Sequence, residues 1–436
     1  MLYATRRINL KSLTSEQSNL FKQLCILSKE VYNMALQNIE THYSNTGQLL
    51  FWQENYRHLK DSQAYKWLGS RYQAIVKEVD SNYKTYVSNV TNGQKYGNRF
   101  KMYENWDKLK PPSPKEYFFP LICESFEMKD GKIKLPLSKE YRMKYADIYF
   151  SIPEDLKDTR IAKFIVRPKF NFRQYELLLI YEATETNTQL KPNAALAIDL
   201  GVSNFATCVT SLNQSFIIDG KQLKSIIQWF WKSMSQIRYL KKKQNIQGHT
   251  HKEMSLLNRR KTQVDDYLNK SVSYIIQQCL KYQIGNIVIG YGINFQKSPN
   301  LGHRNNQIFS QMPYLQFITK LRFQCKKYGI QFFIIDECYS SKASFYDNDP
   351  LPDYISSKKW KFSGTRRYRG LYIASDGRKI NADCNGAANI LRKAVAQGKC
   401  KLVSLVKIRD IQFRGLVQPV RIRPLRQTSH KMNKTL

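Results

Sequence analysis

Three short apolar segments follow one another in close succession: AALAIDL (194–200), NFATCVT (204–210) and SFIIDG (215–220). The joints between them are too tight for a helix, so they predict an antiparallel meander. Helical periodicity takes over for the next 60 residues. Leu223, Ile227, Phe230, Met234 and Ile237 share one face, and Leu268, Val272, Ile275 and Cys279 another. Strand NIVIG (286–290), a helix from about Ser310 to Tyr328 closed by Gly329, and strand QFFIID (331–336) follow, and NADCNGAANILRKA reads as a last helix.

The resulting order, β-β-β-α-β-α-β, predicts an α/β sheet of the RNase H-like kind. Ahead of it, Thr14 can cap a helix with Gln17, and Leu20, Leu24, Leu27, Val31 and Ala35 recur at helical spacing. A second helix is expected around Trp67, Tyr72, Ile75, Val79 and Tyr83. Residues 115 to 185 change to strands, with an Asp130-Gly131 hairpin signal and two strands in KFIVRPKFNFRQYELLLIYEAT. Because MLYATRRINL is also strand-like, the helical segment 14–109 reads as an insertion into a small β domain made of 1–13 and 110–188. The α/β sheet then occupies 189–400, with a helical hairpin at 221–283 and a basic flap at 340–380, and 401–436 is expected to be a disordered basic tail.

The chain of 436 residues carries 70 Lys+Arg against 34 Asp+Glu, a formal charge of +36. Self-repulsion on this scale is tolerated most easily when a polyanion neutralises it, which points to nucleic acid and away from an ordinary neutral enzyme. Eight scattered cysteines form no C-x2-C or C-x4-C pair, so no zinc ribbon and no disulfide framework are expected. The opening residues lack an apolar h-region and no run reaches the ~20 apolar residues of a membrane span. A cytoplasmic, nucleoid-associated protein of a prokaryote is the expectation.

Cleavage of a phosphodiester by divalent metals needs carboxylates converging from separate elements, because Mg2+ wants oxygen ligands. Asp199 closes the first strand in AIDLGVSN, and Asp383 lies at the start of the alanine-rich helix in INADCNGAANIL, where small residues let a helix press close to a sheet. Taken singly, the first reads equally as a turn residue and the second as an N-cap. The tip of the helical hairpin holds Lys241, Lys242, Lys243, Arg259 and Arg260, which suit a phosphate backbone or a solvated surface alike.

AIDLGVSNFATCV and INADCNGAANILRK resemble the first and third nuclease motifs of the transposon-encoded TnpB family, which is related to the type V CRISPR effectors. The likeness extends over most of residues 1 to 395. It implies an RNA-guided, Mg2+- or Mn2+-dependent DNA endonuclease with a RuvC-like site, whose partners are a guide RNA and duplex DNA bearing a short adjacent motif. Asp199 and Asp383 take the places of two metal-holding acids.

Two departures from the family pattern carry their own expectations. Gly290 stands where the second motif ends in Glu, and the next strand ends in Asp336-Glu337, ~4.8 Å further across the sheet. Glu337 is read as the relocated third ligand, reaching through the space above Gly290, with Asp336 as understudy. In place of a zinc ribbon the chain offers Lys358, Lys359, Lys361, Arg366, Arg367, Arg369 and Arg378 among Trp360, Phe362, Tyr368 and Tyr372, a composition suited to phosphates and bases. The competing readings are a nuclease-inactive RNA-guided repressor of transcription, prompted by Gly290, and a DNA-strand-joining transposase, for which no end-binding domain is evident.

Overall fold

The computed structural model describes residues 2–96, 106–292, 303–352, 360–368, 370–400 and 414–425. The chain divides into two compact units, Met1–Ala183 and Thr184–Leu436.

In the first unit, β1 (Leu2–Leu10) is followed by helices α1 (Ser15–Thr46), α2 (Trp52–Leu59), α3 (Gln63–Leu68) and α4 (Ala74–Tyr96). Then come β2 (Leu121–Cys123), β3 (Met128–Lys129), β4 (Lys132–Lys134), α5 (Lys139–Lys144), β5 (Tyr149–Ser151), β6 (Ile161–Lys169) and β7 (Gln174–Ala183). β1 pairs antiparallel with β7 from Leu2 opposite Ala183 to Leu10 opposite Tyr175, and the sheet runs β1-β7-β6-β2. The first and last strands of the unit are therefore neighbours, and α1 to α4 lie between β1 and β2 in the chain. Thr14 and Gln17 form the reciprocal capping box at α1, which buries Leu20, Leu24, Val31 and Ala35. Asp130 and Gly131 both take positive φ, the backbone a tight β3–β4 hairpin requires. The helix expected around Trp67 to Tyr83 is two helices: Gly69, at φ +97°, breaks it between α3 and α4.

In the second unit, β8 (Lys191–Leu200), β9 (Asn204–Thr210) and β10 (Ser215–Asp219) form the antiparallel meander. The hairpin α6 (Lys221–Lys243) and α7 (His251–Lys281) follows, then β11 (Ile284–Gly290), α8 (His303–Gln311), α9 (Tyr314–Lys327) and β12 (Gln331–Ile335). β11 runs parallel to β8, and β12 parallel to β11. Where one helix was expected from Ser310 to Tyr328, Pro313 separates α8 from α9, since proline lacks the N–H a continuous helix needs.

The flap forms a three-stranded antiparallel sheet of β13 (Thr365–Tyr368), β14 (Leu371–Ile373) and β15 (Lys379–Asn381), which leads into α10 (Ala382–Ala396). Part of the expected disordered tail is folded. After α11 (Arg414–Val417), β16 (Val420–Ile422) adds parallel to β10 and completes a sheet of order β12-β11-β8-β9-β10-β16. Two reasons are visible: β10 would otherwise be a bare edge, and Asp219, 4% exposed, receives Arg421 at 3.3 Å and Arg423 at 3.6 Å. Residues 401–413 and 426–436 lie outside the described residues.

The sheet is covered on both faces, and the alternation along β8 assigns its side chains. Leu196 and Ile198 face a core shared with α7 and α9, through Val272, Ile275, Phe317 and Leu321. Ala195 and Ala197 face Ile390, Leu391 and Ala394 of α10. Asp199 continues the alanine row at period two, so it points to the α10 side.

Candidate functional site

Asp199 sits one residue from the end of β8, opposite Thr207 of β9. The small residues on both sides let α10 approach it closely: a Cβ on Gly386 would lie 2.6 Å from Asp199 Oδ2. Only glycine fits there. Asp383 is the second residue of α10 and is not its cap. Asn381 fills that role, its Oδ1 accepting from the backbone N–H groups of Asp383 at 3.1 Å and Cys384 at 3.2 Å. The Asp383 carboxylate is thereby released from helix capping. It accepts from Asn204 Nδ2 at 2.5 Å and from Arg366 of β13 at 3.3 Å.

Glu337 lies two residues beyond β12, the strand adjoining β11, and Gly290 pairs with Ile335. The space a side chain at 290 would take is filled from two directions. A Cβ built there meets Ile390 Cδ1 at 2.4 Å and Glu337 Cβ at 3.3 Å. Asp336 turns the other way: it is exposed, and its Oδ1 accepts from the backbone N–H of Cys338 at 2.8 Å.

The segment carrying Glu337 is tied to α10 by buried polar groups. Lys393, 4% exposed, donates to the carbonyls of Cys338 at 2.8 Å, Asp336 at 3.3 Å and Pro352 at 3.4 Å. Asn389 Nδ2 donates to Ser340 O at 2.9 Å and Ala343 O at 2.7 Å, while Asn385 both donates to Ala343 O and accepts from Phe345 N–H. A helix bearing one acid thus holds the loop bearing another, and satisfied buried networks of this kind are rigid.

The electrostatics follow from the placement. Burial, and after it the charge of Asp383, push the Asp199 carboxyl up to about 8, against the lowering effect of Arg366 and the Leu200 N–H. Burial, then Asp199 and Asp336, push Glu337 up to about 9, against Lys393. Asp199 is the shared member of both repulsions. Oxygen-only donors whose charges repel one another are the chemistry that suits Mg2+ or Mn2+. Among the described residues, however, no three His, Cys, Asp or Glu side chains already stand at the spacing of a metal site.

The basic residues divide by environment. Lys242, Lys243, Arg259, Lys361 and Arg367 are exposed. Lys241 pairs with Glu253 at 2.9 Å, Arg260 is half-buried over the Phe230 ring at 4.9 Å, and Arg378 is held by Asp376 and stacks on Tyr346 at 4.4 Å. These three are engaged within the protein. Arg366 reaches Asp383, and Arg369 lies outside the described residues, as do Lys358 and Lys359. Seven of the eight cysteines are buried and Cys338 is partly so.

Asn204, Gly386 and Lys393 were not singled out by sequence reasoning. Asn204 lies inside the quoted AIDLGVSN motif, and its place at the start of the strand after Asp199 was the available signal. Lys393 gave none, since a lysine in a helix ordinarily reads as a solvated residue.

The sheet order, with a meander followed by two parallel strands, defines an RNase H-like α/β fold. Comparison with known proteins agrees. Residues 179–296 match the OrfB_IS605 family, described as a probable transposase, and residues 314–390 match the Cas12f1-like TNB domain. The TnpB-like protein ORF457 of Acidianus two-tailed virus is 23% identical over 212 residues, covering 47% of this chain and 43% of the viral protein. The chain thus spans less than half the length of that relative. Among solved structures, that of a Cas12f1–sgRNA–target DNA complex superposes with a TM-score of 0.56 at 17% identity, covering 87% of this chain and 83% of the other. In part of its length the chain is thus similar to TnpB-like proteins. No helix among the described residues is long and apolar enough to cross a membrane.

Proposed function

We propose that the protein is an RNA-guided, Mg2+-dependent DNA endonuclease of transposon origin in which Asp199, Glu337 and Asp383 hold the metal. The observation that carries this reading is that at the end of the sheet burial, with the charge of Asp383 on Asp199 and of Asp199 on Glu337, drives both carboxyls toward the protonated form. Such a cluster destabilises the chain unless an external cation completes it. When bound, Mg2+ or Mn2+ supplies a Lewis acid for phosphodiester oxygens and lowers the pKa of water.

The protein's own residues do the rest. Asn204 orients the Asp383 carboxylate. Lys393 and Asn389 fix the loop that presents Glu337. Arg366, between the flap and Asp383, is placed to exchange its carboxylate partner for a substrate phosphate, an anion it can grip in bidentate fashion. The guide RNA pairs with the target, the basic surface grips the heteroduplex backbone, and residues 1–183 hold the guide and the adjacent motif. In this reading the chain belongs to a subgroup that moved its second acid from the β11 end to the β12 end and lacks a zinc ribbon.

Gly290 supports the second reading, an RNA-guided repressor that binds without cutting. The test is cleavage of matched duplex DNA by protein purified with its RNA, in Mg2+. Wild type is expected to cut. Asp199→Ala and Glu337→Ala should lose at least about 10³-fold, and Asp336→Ala should stay within about twofold. Binding without cutting by wild type would establish the repressor instead.

A further inference from the structure

We propose that the α6–α7 hairpin holds an unpaired base of the bound RNA in a groove floored by Trp229, an inference that rests on the RNA-binding reading above. Trp229 is 45% exposed, and Tyr239 and Leu240, which line the same groove, are 68% and 50% exposed. Large apolar groups clustered in water in this way mark a contact surface.

Spacing makes the cluster a groove. Trp229, Ser233, Gln236 and Leu240 fall at i, i+4, i+7 and i+11 and line one stripe of α6, while Lys252 and Leu256 of α7 form the opposite wall. The space between them is about 440 Å³, within the range of pockets that take a small molecule and ample for one nucleotide. Its chemistry is divided as a base requires: an indole face for stacking, and Ser233 and Gln236 as donors and acceptors for a base edge. Arg259 lies over Trp229, 5.1 Å from the ring centroid, and Arg238 lies over Trp231 at 5.6 Å. Each indole therefore stands beside a guanidinium, the pairing of aromatic and cation that single-stranded nucleic acid favours.

Charge selects the occupant. Residues 221–261 contain eleven Lys or Arg and one acid, Glu253, which is already paired with Lys241. A second copy of this chain would bring the same positive surface to the groove and be repelled, whereas a polyanion is attracted. A base within duplex is stacked on its neighbours and cannot enter, so the ligand is a single-stranded segment.

The experiment uses the full chain and three labelled probes: a 12-nucleotide oligouridine RNA, its DNA equivalent, and a blunt 12-base-pair RNA duplex. Wild type should bind the RNA strand with quenching of tryptophan fluorescence. Trp229→Ala should weaken that binding by about tenfold and remove most of the quenching, Trp229→Phe by about twofold, and neither should change duplex binding. Because Trp229 is exposed, unchanged thermal unfolding of both variants shows that the fold is intact. A Trp229→Ala protein that binds the RNA strand within twofold of wild type overturns the groove and leaves the functional reading standing. So does a variant that loses self-association in sedimentation while keeping RNA affinity, which would make a second copy the occupant. Equal losses for RNA and DNA strands would overturn the choice of RNA. A wild-type chain that binds no RNA at all would remove both this inference and the reading beneath it.

Discussion

Acids in the two units show opposite treatment by the same chain: Glu176 and Asp219 are buried, and Asp199 is partly so. Glu176 on β7, 1% exposed, receives Arg167 from β6 on one side, through two guanidinium nitrogens, and Arg7 from β1 at 3.6 Å on the other. The second unit does the same for Asp219 with Arg421 and Arg423. Asp199 meets burial and the charge of Asp383, and Glu337 meets burial and the charges of Asp199 and Asp336; Arg366 beside the first and Lys393 beside the second do not outweigh them. A chain with 70 Lys+Arg has no shortage of cations to place there. The contrast teaches that neutralisation is complete around the structural acids and only partial around Asp199, where Arg366 reaches Asp383 alone, as the proposed metal site requires.

The contrast can be broken most severely at Gly386. Its replacement by Ala drives a methyl group to 2.6 Å from Asp199 Oδ2, so Asp199 or α10 must shift. Displacements near 1 Å are expected to lower the cutting rate by about 10²-fold while the unfolding midpoint changes little by comparison. Wild-type rates in this variant would mean that the contact does not set the geometry.

The structural acid gives the next effect. Glu176→Gln leaves two guanidinium groups facing an amide, and denaturant unfolding should show a loss of about 2 kcal/mol, below the ~3–5 kcal/mol of a fully buried pair because Arg7 and Arg167 are each 39% exposed.

A third substitution sharpens the account of the relocated acid. In a Glu337→Gln background, Gly290→Glu should not restore cutting, because Ile390 Cδ1 occupies the position 2.4 Å from the new Cβ. Adding Ile390→Ala should recover about tenfold of the lost rate, a coupling visible only in the triple variant. Rescue by Gly290→Glu alone would show that Ile390 yields freely.

The smallest effect is on stability against pH. The folded Asp199 binds its proton up to about 8, well above the ~4 of an unfolded aspartate, so between those values the folded state holds more protons. Metal-free stability is therefore full below about pH 4 and declines as pH rises toward 8; Glu337 adds the same sign. Asp199→Asn should flatten that decline and raise stability at pH 8 by no more than about 1 kcal/mol, since solvent reaches the site. Thermal unfolding across pH, without and with Mg2+, reads both; the metal should matter more at pH 8 than at pH 6.

Local signals account for what was legible in advance. The capping box at Thr14, the Asp130-Gly131 turn and the period-two and 3.6-residue patterns are properties of neighbouring residues, and all appear in the fold. Asp199 and Asp383 were legible as acids at a strand end and a helix start. What escaped depends on partners far along the chain. β16 is recruited by Asp219 some 200 residues earlier, and Lys393 acquires its role only because the loop after β12 returns over α10. The breaks at Gly69 and Pro313 were local, yet the apolar periodicity runs through both and concealed them.

The docking of β16 bears on how the protein is made. The flank of β10 stays open during synthesis until residues 420–422 have left the ribosome, long after the meander itself is complete. A nascent chain therefore has its acids assembled before its sheet is sealed, and translation halted short of residue 420 would leave an unprotected edge prone to pairing with other chains.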